Sequence, residues 1–336
     1  MKGDFEMKRS PRIIALVLVI LLLLICDLGC SKKNKQTPIR IALNIWPGYG
    51  AFFIAEDKGF FEQENVSVDV QIIQGDAERE AALISGNIDG IGMTLDNLVV
   101  LRDKDIDVKA IFKYDDSYGA DGIVAIKSIA SVGDLKGKRI SWAPATTSHY
   151  FLTQVLKEAN LNTKDLDHVA MSSDDGGAAF AAGKLDAAVT WEPWLSKAQQ
   201  MENGHLLIST KDKPVVDDVL FMRTNTLEKR RDAIKRFLKA CFNAIDYWKE
   251  HPTEGNKIIA KNLKLPVKDV EDMLSGIRIM DYEDNVKFFG SADNPGPIYE
   301  AFDRCVNAWK QEGIIEASPS SSQSIDASFI QSLNMN

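Results

Sequence analysis

Histidine, cysteine and surplus positive charge are all in short supply in this sequence. Four histidines occur, at positions 149, 168, 205 and 251, and none stands at metal-ligand spacing from another or from a cysteine, so no zinc centre is expected. Lysine and arginine number 40 against 48 aspartates and glutamates, for a net charge of −8. Nucleic-acid binding needs clustered basic residues, so that partner is excluded. The glycine patterns that cradle phosphates or present a nucleophilic serine are missing too: there is no G-x-x-x-x-G-K-S/T, no G-x-S-x-G and no complete G-x-G-x-x-G. No cofactor is expected. The apolar run from Ile13 to Cys26 falls short of the ~20 residues that span a bilayer.

That run does suit an export signal. Lys8, Arg9 and Arg12 precede it as a basic n-region, and Met7 makes a better start for such a region than Met1. It ends in Asp27-Leu28-Gly29-Cys30, which resembles a bacterial lipoprotein cleavage site, although Asp27 stands where leucine is usual. The expectation is a signal peptide over residues 1–29, a lipid on Cys30 and a polar tether over 30–37. Ordinary cleavage without lipid is the alternative. Two cysteines then remain, Cys241 and Cys305. Both fall on apolar stripes of expected helices and read as buried free thiols rather than a disulfide.

A chain of 336 residues with 45% hydrophobic content can build two ordinary domains. A weak internal repeat says how. AALISGNIDGIGMT (81–94) matches AAFAAGKLDAAVTW (178–191): each is the end of an Ala-rich helix, a glycine stop (Gly86, Gly183) and a short apolar run that reads as a buried parallel strand. The segments before them, 40–61 and 138–160, both run strand, loop, helix. Two α/β lobes of similar plan follow, the first discontinuous (38–117 and 218–336) and the second inserted (118–217). After Asn225 the chain reads as helical, with Ile234, Phe237, Leu238, Cys241, Ile245 and Trp248 on one stripe and a second helix opened by Pro297. The segment EASPSSSQS reads as flexible.

In open parallel sheets ligands sit beyond the C-terminal strand ends. The loops there supply Trp46 and Tyr49, Asp76, Thr94 and Asp96, Thr146 to His149, and Trp191 with Glu192; the inter-lobe connection adds Tyr118 and Asp121. Thr146, Thr147 and Ser148 open a helix whose free N–H groups suit an anion, though one of them also serves as the cap. His149 reads as a residue of the cleft rim or helix start. Asp76, Asp96, Asp121 and Glu192 suit an ammonium group, and Trp46, Tyr49, Tyr118 and Trp191 suit a wall around it. Each carboxylate could equally be a turn or helix-start residue, and each aromatic could be core. Asp115 and Asp116 read as solvated linker charges. Lysine and arginine are absent from all these loops.

Taken together, WPGYGAFFIAEDKGFFEQENV, AALISGNIDG, SVGDLKGKRIS and AAVTWEPWLSKA resemble the substrate-binding proteins of ABC importers, in the nitrate/sulfonate/taurine branch. The resemblance covers nearly all of the chain after the signal. It implies the two-lobed type II periplasmic-binding-protein fold, α/β in class, with a small-molecule ligand in a cleft between lobes that closes by a hinge. It also implies a monomer, exported and anchored on the outer face of a bacterial membrane, that delivers its ligand to an ABC permease and its ATPase. The same fold family includes a fungal thiamine-pyrimidine synthase, but that enzyme depends on a cysteine-rich motif and this chain has none, so no enzyme is expected. The acidic loops favour an amine-bearing solute such as an aminosulfonate zwitterion. A nitrogen heterocycle such as a thiamine-precursor pyrimidine is the alternative ligand, and a sensor lobe serving a receptor in trans is the alternative role. A nitrate-type anion is disfavoured for want of a basic residue.

Overall fold

The structure, a computed structural model, describes residues 37–291 and 293–335. The expected signal peptide, Cys30 and nearly all of the tether lie outside the described residues. The order of elements alternates strand and helix through most of the chain. The strands are β1 (Ile39–Leu43), β2 (Val68–Ile72), β3 (Gly90–Thr94), β4 (Val108–Ser117), β5 (Asp121–Ile126), β6 (Arg139–Trp142), β7 (Asp167–Ala170), β8 (Ala187–Trp191), β9 (Gly204–Ser209), β10 (Asp217–Arg223) and β11 (Ile277–Ile279). The helices that matter here are α1 (Gly50–Asp57), α2 (Asp76–Ile84), α3 (Leu95–Asp103), α4 (Thr147–Glu158), α5 (Ser173–Ala181), α6 (Trp194–Gln199), α7 (Arg231–Glu250) and α8 (Pro297–Gln311). Among the described residues no helix is long and apolar enough to cross a membrane.

Two sheets result, ordered β2-β1-β3-β10-β4-β11 and β7-β6-β8-β5-β9. The first five positions correspond one to one. In each sheet the two outer βαβ ladders are parallel (β1 with β2 and β3; β6 with β7 and β8). The fourth strand of each, β10 or β5, is antiparallel to both its neighbours, so four of the five strands share one direction and one runs against them. The repeat seen in the sequence is this pattern. Gly86 and Gly183 sit just past the ends of α2 and α5 at φ +76° and +71°, a region that costs any residue with a Cβ.

The chain passes from the first sheet to the second between Ser117 and Asp121, and back between Ser209 and Asp217. Fully buried Thr210 ties the two crossings together. Its hydroxyl lies 2.8 Å from that of Ser117 and accepts the Gly119 N–H at 2.8 Å, and its own N–H donates to Asp121 O at 2.9 Å.

The first sheet is covered by an aromatic core in which Phe52 of α1 stacks on Phe237 of α7, 5.6 Å between centroids, and meets Tyr114 of β4 edge-on. All six apolar stripe residues of α7 are buried, and Cys241 and Cys305 are buried free thiols. The segment expected to be flexible is instead pinned: the N–H groups of Glu316 and Ala317 donate to Asp103, and Ser324 is fully buried.

The acidic connection also departs from expectation. Asp115 and Asp116 are not solvated charges, because β4 continues through both. Asp115 is 0% exposed, and Asp116 pairs with Lys113, itself 3% exposed, which also reaches Asp217 at 2.6 Å and lies over the Phe288 ring. Lys113 thus holds carboxylates of β4 and β10 together inside the protein. Lys113→Met should destabilise the fold by about 3–5 kcal/mol, since removing one partner of a buried pair leaves the other charges uncompensated. Urea unfolding followed by circular dichroism measures this; a loss below about 1 kcal/mol would mean that the site is better hydrated than its burial implies.

Candidate functional site

The C-terminal ends of the strands that share a direction, and the start of the reversed strand, converge on the same edge of each sheet. The register shows this directly: Asp218 at the start of β10 is opposite Thr94 at the end of β3, and Asp121 at the start of β5 is opposite Trp191 at the end of β8. A cavity opens where these edges meet. About 40 Å³ of it admits the centre of a water-sized sphere, room for on the order of three waters. Its wall contains Trp46, Tyr49, Asp76, Thr94, Asp121, Thr147 and Trp191, seven of the residues singled out from the sequence, together with Asn44, Arg79, Met93, Asn97, Val216 and Asp218.

Most polar side chains of the lining have a defined partner, while Asn44 Oδ1 and Arg79 Nε have none among the described residues. Trp46 Nε1 donates to Asp115 Oδ2 at 3.1 Å, and Tyr49 Oη donates to Asp218 Oδ1 at 3.3 Å. Thr94 Oγ1, the last residue of β3, donates to Asp96 Oδ1 and accepts from Asn97 Nδ2, both at 2.6 Å. The Thr147 hydroxyl lies 2.6 Å from that of Thr94, so the start of α4 is bonded to the start of α3 across the cavity. Arg79 is 2% exposed and forms an ion pair with Asp76 one turn earlier in α2. Its Nη1 donates to the carbonyls of Ile73 and Gln74 at 2.7 and 2.9 Å. The basic residue absent from the loops therefore enters the wall from the first turn of a helix.

Other sequence-selected residues stand apart from the cavity wall. Glu192 caps α6: its carboxylate accepts from the N–H and hydroxyl of Ser196 at 3.1 and 2.9 Å. The carboxylate that serves the indoles on either side of it is Asp174, whose Oδ1 accepts from Trp191 Nε1 at 2.9 Å and Trp194 Nε1 at 3.2 Å. Tyr118 is 37% exposed on the crossing, with the Arg278 guanidinium over its ring. Thr146 and Ser148 bond to each other at 3.0 Å, and Thr146 also donates to Ala143 O. His149 is buried between Trp142 and Trp309; its Nδ1 accepts the Ala145 N–H, which leaves Nε2 to carry the proton towards Glu312 at 3.4 Å. Asp96 lies behind Thr94, 2% exposed, with Oδ2 unpartnered.

Of the six lining residues that sequence reasoning passed over, two carry signals that could have found them. Asn97 stands three residues after Thr94 on the same helix face, and Arg79 three after Asp76. Asp218 had no local mark beyond an acidic pair at the start of an apolar run.

Burial dominates the electrostatics. It pushes Asp96 up to about 7, against the opposing bond from Thr94, and Asp121 up to about 6, with the Glu192 charge adding to the rise. Asp115 and Asp218 are raised well above the usual carboxylate range by burial, with the Asp116 charge adding to the rise at Asp115 and the Asp115 charge to that at Asp218. Among the described residues no group of three or more His, Cys, Asp or Glu is placed to hold a metal ion.

The sign of the pH effect follows. A carboxyl raised in the folded state contributes stability that is fully present below its unfolded pKa and is lost as pH rises through the folded value. The unliganded protein should therefore lose stability between about pH 4 and pH 7, the window set by Asp96 and Asp121. Asp96→Asn should flatten that slope and raise stability at pH 7.5 by on the order of 1–3 kcal/mol. Thermal melts of both proteins across this range check it; parallel curves would contradict the burial argument.

Known proteins fall in with this geometry. Residues 46–255 match the family described as NMT1/THI5 like. A Bacillus subtilis (strain 168) protein provisionally named an aliphatic sulfonates-binding protein is 28% identical over 270 residues, covering 78% of this chain and 81% of that protein. The taurine-binding periplasmic protein of Escherichia coli (strain K12) is 23% identical over 288 residues, covering 82% and 87%. The crystal structure of the periplasmic aliphatic sulphonate binding protein SsuA from Escherichia coli superposes with a TM-score of 0.72 at 18% identity, over 86% of this chain and 92% of that one. The two-sheet α/β architecture is thus the periplasmic-binding-protein fold, and the chain belongs to the NMT1/THI5-like family.

Proposed function

We propose that the protein is an extracytoplasmic solute-binding component of an ABC importer. It takes up a small organic solute bearing a protonated nitrogen and passes it to the permease. One observation carries this reading: a single cavity is built from the equivalent edges of two similar sheets, with Asp218 and Thr94 from one facing Asp121 and Trp191 from the other. A solute held there bridges two lobes, 38–117 with 218–336 and 118–217, and so favours their closed arrangement over an open one. The crossings tied by Thr210 are the natural hinge. The names of the relatives, sulfonate- and taurine-binding proteins, support a small solute and an importer. The N-terminal sequence supports export and anchoring through a lipid on Cys30.

Native mass spectrometry of freshly purified protein should find a co-purified small molecule, and small-angle scattering should show compaction when that molecule is added back. Trp191→Ala should weaken its binding by ~2 kcal/mol or more if the indole is an anchor of the cavity. Glu192→Gln should leave affinity unchanged and lower stability by some 0.3–1 kcal/mol, as befits a helix-start charge. Calorimetry beside thermal melts separates the two effects; an affinity loss in Glu192→Gln would place the carboxylate on the ligand. Membrane partitioning should depend on Cys30, and a Cys30→Ser protein that stays on the membrane would remove the anchor from the reading.

A further inference from the structure

The cavity is rich in acceptors, and most of its side-chain donors are already engaged. Its Arg79 gives both terminal nitrogens to Asp76 and two backbone carbonyls, and keeps only Nε, buried and without a partner among the described residues. Both indole N–H groups are turned to carboxylates outside the wall, Trp46 to Asp115 and Trp191 to Asp174. The Thr94 hydroxyl donates to Asp96, and the Asn97 amide donates back to Thr94. What is left uncommitted is the Arg79 Nε, the Thr147 hydroxyl and the N–H groups at the uncapped start of α4, a short supply for the three oxygens of a sulfonate or nitrate.

Two carboxylates show the opposite imbalance. Asp121 and Asp218 are 8% and 5% exposed, line the cavity, and have no ion pair among the described residues. Asp218 has the Tyr49 hydroxyl, and Asp121 the Ser117 hydroxyl; neither hydroxyl cancels a charge. They occupy matching places, each at the start of its sheet's reversed strand. Ionising a buried carboxyl without a cation is costly, which is why both are raised, and here two of them face one space in which a cation would favour their charged forms.

We infer that this site selects a small organic cation with N–H donors, of the alkylammonium or amidinium class and with no anionic group, bound between Asp121 and Asp218. The inference rests on the reading of the cavity as a solute site. The solute supplies the positive charge that the wall leaves unbalanced, Asp76, Asp121 and Asp218 against Arg79 alone, which a zwitterion would not. The indoles, with their N–H edges occupied elsewhere, meet the cation with their rings.

The test is calorimetry at fixed ionic strength on the full chain, freed of co-purified solute by unfolding and refolding, with methylammonium, guanidinium, tetramethylammonium, taurine, ethanesulfonate and nitrate as probes. Methylammonium or guanidinium should bind at least tenfold more tightly than taurine or either anion. Tetramethylammonium, a cation without N–H, should bind at least tenfold more weakly than the better of those two. Asp121→Asn and Asp218→Asn should each weaken the bound cation at least tenfold. Each also replaces a buried carboxyl by an amide of the same shape, so neither should melt below the parent; if one fails to fold, the other still decides. Tighter binding of taurine or ethanesulfonate overturns the cation assignment and leaves the solute-binding reading standing. If no probe binds and native mass spectrometry of the unstripped protein finds no small molecule, both fall.

Discussion

Each sheet contains one strand that runs against its neighbours, and the position of the acidic groups depends on that reversal. A strand that shared the common direction would begin at the far edge of the sheet. By entering backwards, β5 and β10 begin where the others end, and their first residues reach the ligand edge. The two crossings between sheets are what make the reversal possible, since each feeds directly into one of these strands. Thr210 binds the crossings to each other and so fixes where both strands begin.

Placing carboxylates at that edge puts them in competition with the apolar interior. Burial raises Asp115, Asp121 and Asp218, and the charges of Asp115 and Asp121 add to the rise at Asp218. Elsewhere the chain solves the same problem locally: Lys113 sits between Asp116 and Asp217, and Arg40 and Arg223 both bond Asp89. At the cavity the local solution reaches only Asp76, through Arg79, and leaves Asp121 and Asp218 without an ion pair among the described residues.

Much of the fold was legible in the sequence because it is written in short-range terms. The helix stops at Gly86 and Gly183, the stripe on α7 and the repeated helix-strand unit each depend on residues within a few turns of one another. The aromatic and hydroxyl part of the wall, Trp46, Thr94, Thr147 and Trp191, could be found for the same reason: it follows strand ends. What escaped was set by partners far along the chain. Asp115 looks like a linker charge until Trp46, 69 positions away, is seen to donate to it. Asp218 acquires meaning only opposite Thr94. In the sequence Glu192 points towards the ligand because it stands between two indoles that need a carboxylate; the one that serves them is Asp174, from the preceding helix.

The place of β10 in the first sheet has a consequence for the order in which the protein can assemble. β10 lies between β3 and β4, so those two strands are not neighbours and cannot pair until it arrives. About a hundred residues separate the end of β4 from the start of β10, and they comprise the whole of the second sheet. A chain threaded N-terminus first can therefore finish the second sheet while the first still has a gap. Closing the gap costs the entropy of a long loop if the intervening segment is loose, and far less once it has become a folded body with its ends held together. The inserted half acts as a scaffold in time as well as in space: its maturation shortens the search by which β10 finds its slot.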